Sequence, residues 1–77
     1  MIYNLELTDT FGEQANYSWV IRKQLEVPEG TSDLALVRRA KAALDLTGVP
    51  CRKTDLGEGW ELRPTAGGVV AFITPEY

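Results

Sequence analysis

Only one stretch of this chain carries a helical period. From about Asp33 to Leu46, the apolar residues Leu36, Val37, Ala40, Ala43 and Leu44 fall within one arc, with Leu34 at its edge. A lone helix cannot bury its own apolar stripe, so the remaining residues must supply a sheet for it to lie on. Thr31, Ser32 and Asp33 are candidate N-caps, because their short oxygens accept from first-turn N–H groups. Alanines in the middle favour helix and close approach. Gly48 is the expected left-handed closing residue, and Pro50 prevents resumption.

The segments on either side have the period of strands. Met1, Tyr3, Leu5 and Leu7 alternate with polar residues over 1–8. In 17–27, Tyr17, Trp19, Ile21, Leu25 and Val27 share one face, and Ser18, Arg22, Gln24 and Glu26 share the other. Lys23 falls in the apolar register, as a bulge or a departure from the core would require. These two runs predict an antiparallel hairpin with a wide loop around Asp9 to Glu13. After the helix, strands are expected at 49–55, 60–64 and 69–73, joined by the turns Leu56-Gly57-Glu58-Gly59 and Thr65-Ala66-Gly67-Gly68. The order is β-β-α-β-β-β, an α+β fold with one helix packed on an antiparallel sheet of four to five strands. With no linker or repeat, residues 1–77 are expected to form one domain. On this reading, Leu36, Val37, Ala40 and Leu44 meet Tyr3, Leu5, Trp19, Ile21, Leu62 and Phe72.

Several chemistries lack the residues they need. The chain has no histidine and one cysteine, Cys51, so imidazole bases, histidine metal sites and multi-thiolate clusters are ruled out within it. Gly57-x-Gly59 lacks the third glycine and the following helix of a dinucleotide fingerprint. No cofactor or metal is expected. Asp55, Glu58 and Glu61 lie close in sequence around one hairpin and could suggest a small carboxylate-dependent enzyme, but their spacing fits no ion loop, and polar hairpin turns are common. The reading is therefore non-enzymatic. No apolar run approaches the roughly 20 residues that cross a bilayer. Met1 to Thr10 contains Glu6 and Asp9 and no basic residue, unlike a secretory leader, so a cytoplasmic protein is expected.

Two features bear on binding. The net charge is −3, yet all eight basic residues lie between Arg22 and Arg63. Arg38, Arg39, Lys41, Arg52 and Lys53 could together contact an anion or a nucleic acid, although Lys41 is also placed to pair with Asp45. The second feature is Val69-Val70-Ala71-Phe72-Ile73, apolar in both registers. If this strand is interior, with Phe72 toward the helix, then Val69, Ala71 and Ile73 form an apolar interface on the far face for a protein partner or a homodimer. If it is at an edge, its backbone could extend a partner's sheet. Protein binding or self-association is the leading expectation, and a nucleic-acid-binding module is the alternative.

Small size, this strand and helix order, and the strings 38-RRAKAALDLTG-48, 60-WELRP-64 and 69-VVAFI-73 resemble small accessory proteins of phages and prophages. The resemblance implies a binding role in the cytoplasm of a bacterial host. It carries over no functional residue.

Overall fold

The computed structural model describes residues 1–76. Its elements are β1 (Ile2–Phe11), β2 (Gln14–Glu26), α1 (Asp33–Ala43), β3 (Cys51–Asp55), β4 (Trp60–Pro64) and β5 (Val69–Pro75). The five strands form one antiparallel sheet in the order β2-β1-β5-β4-β3, with the single helix on one side. No described helix is long and apolar enough to cross a membrane.

The first hairpin is longer and tighter than its sequence pattern suggests. Gly12 (φ 59°) and Glu13 (φ 68°) form a two-residue turn, both in the left-handed region that matches the twist of paired strands. The wide loop is therefore absent, and β1 runs on to Phe11. The irregularity lies inside the hairpin instead. Thr8 pairs with Val20 and Thr10 with Ala15, so residues 16–19 bulge opposite Asp9. Tyr17 takes a positive φ of 56° there. Thr8, fully buried, holds the bulge: its hydroxyl accepts from Tyr17 N–H at 2.9 Å and donates to the Trp19 carbonyl at 3.0 Å.

The helix starts where Ser32 caps it, its Oγ accepting from Ala35 N–H at 3.2 Å. It ends earlier than Leu46. Leu46 N–H donates to Lys41 O at 2.7 Å and Asp45 N–H to Ala42 O at 3.2 Å, the two closing bonds of a Schellman motif. The left-handed residue is therefore Asp45 (φ 61°) rather than Gly48, which turns the chain toward β3. Lys23 makes no bulge. It pairs regularly with Leu5 and extends its Nζ to the Ala43 carbonyl at 2.9 Å, placing a cation at the negative end of the helix. Lys41 donates to Val49 O at 2.6 Å, and no ion pair joins it to Asp45 among the described residues.

The core lies between helix and sheet. Leu36, Ala40 and Leu44 pack with Leu5, Leu7, Leu62, Ala71 and Ile73, and Val27 and Leu46 complete the cluster. The assignment of β5's faces is thus the reverse of the expectation. Leu5 pairs with Ile73 and Leu7 with Ala71, which puts Val69, Ala71 and Ile73 under the helix, while Phe72 faces away. Small Ala71 and Ala40, both fully buried, allow helix and sheet to approach closely. β5 is also the central strand, so it has no free edge to offer. Trp19 and Ile21, expected in the core, are each 43% exposed. The cause is length: the eleven-residue helix rises ~1.5 Å per residue and the thirteen-residue β2 ~3.3 Å, so the helix spans less than half of β2.

Candidate interaction face of the sheet

The side of the sheet without a helix is built by strand alternation. Asn4, Glu6 and Thr8 of β1 point there, as do Arg22 and Gln24 of β2, and Phe72 and Thr74 of β5. Cross-strand register sets one row directly across four strands: Glu61 opposite Phe72, Phe72 opposite Glu6, and Glu6 opposite Arg22. A partly exposed phenyl ring thus sits between two carboxylates, each held by its own arginine. Arg22 Nε donates to Glu6 at 3.0 Å, and Arg63 Nε donates to Glu61. Asn4, Glu6, Arg22, Gln24, Phe72 and Thr74 line an open groove of about 710 Å³.

The polar groups in this groove are tied to one another. Tyr17, swung outward by the bulge, donates its hydroxyl to Glu6 at 2.7 Å. Gln24 Nε2 bridges Asn4 Oδ1 at 3.3 Å and Glu76 Oε1 at 2.9 Å. The Tyr17 hydrogen bond, with help from Arg22 and against partial burial, holds the Glu6 carboxyl below its ordinary range. The same bond raises the Tyr17 phenol. Glu6 is therefore ionised and Tyr17 protonated at neutral pH, and neither is poised to exchange a proton there. Beside them, Asp9 accepts from Ser18 and Asn16 side chains and from Ser18 N–H, which pulls its carboxyl down to about 2.

The three carboxylates of the β3–β4 hairpin do not converge. Asp55 lies opposite Trp60, on the helix side, and caps Gly57 N–H at 2.7 Å. Glu58 is exposed in the turn, and Glu61 faces the groove side with Arg63. Among the described residues, no three potential metal ligands stand together.

The five basic residues are also divided. Arg52 pairs with Arg63 and points away from the helix, while Lys53 pairs with Leu62 and points toward the helix side. Arg38 and Lys41 border a small hollow beside Thr47 and Gly48, and Arg39 is exposed on the helix. They occupy both sides of the sheet rather than one patch.

Sequence alternation already places Glu6 and Arg22 on one side. It misses Tyr17, whose register is shifted by the bulge, and Phe72, because both registers of its strand are apolar. No family model, curated protein or solved structure matches the chain. The phage-type resemblance therefore rests on small size, element order and three short strings of the sequence.

Proposed function

We propose that this chain is a non-enzymatic binding protein that recognises another polypeptide through the open face of β2, β1 and β5. The observation that carries this reading is Phe72, an aromatic anchor in the centre of a face whose polar rim is already hydrogen-bonded. Aromatic side chains inside a polar rim dominate the energetics of many interfaces. Side chains ordered before the encounter lose less freedom when a partner arrives, so more of the contact energy appears as affinity. The flanking pairs, Arg22 with Glu6 and Arg63 with Glu61, present alternating charge and so favour a partner of matching alternation over a polyanion. The nucleic-acid alternative has less support, since its five basic residues form no common surface.

The test is capture from the native cell extract with three baits: the wild-type chain, Phe72→Ser, and Glu58→Gln in the remote hairpin. The expected result is a polypeptide retained by wild type and Glu58→Gln and lost with Phe72→Ser. Identical capture by all three, or capture abolished by nuclease treatment, overturns the proposal.

A further inference from the structure

We infer that β2 pairs edge to edge with β2 of a second copy, in antiparallel register about Gln24. This uses the margin of the sheet, not its open face, and so goes beyond the proposed function. β2 is an edge strand. Val27 N–H donates to Met1 O at 2.9 Å, and Glu76 N–H donates to Ile2 O at 2.9 Å. In an antiparallel ladder the direction of these groups alternates residue by residue. Ile21, Lys23 and Leu25 therefore turn their backbone toward β1, and Arg22, Gln24 and Glu26 turn theirs outward, unpaired.

Two of the usual protections of an edge, a proline and a bulge, are missing over residues 20–26. The bulge spans only residues 16–19, and no proline interrupts 20–26. Lys23, the one lysine of the strand, is drawn over the helix end by Ala43 O and does not guard the edge. The opposite edge, β3, is only five residues long and, after Cys51, wholly polar and exposed.

The exposed edge complements itself. A two-fold axis at Gln24 sets Arg22 of each copy against Glu26 of the other and joins outward backbone groups with about six hydrogen bonds, two for each of three close pairs. An axis at Lys23 would oppose two lysines, and one at Arg22 two arginines. An axis at Leu25 sets Arg22 against Pro28, which has no N–H to give, and so leaves two close pairs, whereas the Gln24 axis completes three before Pro28 is reached opposite Val20. Arg22 meets Glu6 through Nε and is 66% exposed, so its terminal nitrogens remain available. Glu26 is exposed and makes no ion pair among the described residues. Among the axes from Arg22 to Leu25, the Gln24 register alone sets opposite charges together and completes three backbone pairs.

Sedimentation of the intact chain across a concentration series tests this, with amide spectra confirming that each variant is folded. The wild type should form a dimer. Glu26→Arg alone and Arg22→Glu alone should each weaken it about tenfold or more by placing like charges opposite one another. An equimolar mixture of the two variants should restore it, because both cross-strand pairs are then of opposite sign. In the wild-type dimer, the Arg22, Gln24 and Glu26 amides should exchange slowly. Phe72→Ser should leave dimerisation intact, which separates this inference from the binding proposal. A wild type that stays monomeric into the millimolar range, a dimer indifferent to both charge reversals, or a mixture that fails to restore it overturns the inference.

Discussion

The hydroxyl of Thr8 accepts from the backbone N–H of Tyr17, nine residues along the chain, at 2.9 Å and in full burial. This contact fixes the bulge that turns Tyr17 onto Glu6. Thr8→Val keeps the shape but leaves Tyr17 N–H without a partner and Trp19 O without the threonine's proton. The expected cost is about 1–3 kcal/mol in urea unfolding. Unchanged stability would show that the bulge does not depend on Thr8.

The two faces of β5 should respond oppositely to truncation. Ile73 is fully buried, and Ile73→Ala should cost roughly 2–5 kcal/mol. Phe72→Ser, on the far face, should cost much less while removing the aromatic anchor. A larger loss for Phe72 than for Ile73 in denaturant titrations would reverse the facing described here.

Gly59 admits no side chain. Its φ is 126°, and an added Cβ would lie 2.0 Å from the Ile73 carbonyl oxygen. Gly59→Ala should destabilise by about 3 kcal/mol or more, through strain and overlap with backbone that cannot rotate away. Gly57→Ala strains its own φ but meets no neighbour, so it should cost less. Equal thermal midpoints for the two variants would contradict the close β4–β5 approach.

Asp9 gives the fold a defined acid sensitivity. Hydrogen bonds from Ser18 and Asn16 lower its carboxyl from 3.8 to about 2. Because the folded value is the lower one, the stabilisation is complete above the unfolded value and is lost as pH falls through the folded one. Wild type should therefore lose more stability than Asp9→Asn between pH of about 4 and about 2. Parallel curves for the two proteins over that window would remove Asp9 from the account.

Tyr17 reports on the same cluster from the alkaline side. Its phenol is raised chiefly by the bond to Glu6, so Glu6→Ala should bring it back toward its ordinary 10.0. The raised folded value means that this contribution is present below the unfolded value and fades as pH climbs through the folded one. Ring resonances followed through an alkaline titration give the answer, and an unmoved midpoint would mean that the contact is not made in solution.

The fold was legible where one face alone is apolar. Leu5 and Leu7 alternate cleanly with Asn4 and Glu6, so β1 and its inward side follow from period two. In β5 the pattern is silent, because Val70 and Phe72 are as apolar as Ala71 and Ile73. What decides the facing there is the long-range pairing of Leu5 with Ile73. The hairpin at Asp9 to Glu13 is legible but its tightness is not, because Gly12-Glu13 lacks the usual Asn-Gly or Asp-Gly signal. At the candidate site, Glu6 and Arg22 can be placed on one side from alternation, but Tyr17 cannot: the bulge depends on a buried threonine that the pattern shows only as polar.

The most direct measurement of the central claim, recognition of a polypeptide through the Phe72 face, is site-specific photo-crosslinking in the native cell. A photoreactive phenylalanine at position 72 should give a discrete protein adduct, and the same probe at Ala42, exposed on the helix, should give none. Adducts of equal yield from both positions, or none from position 72, would contradict the account.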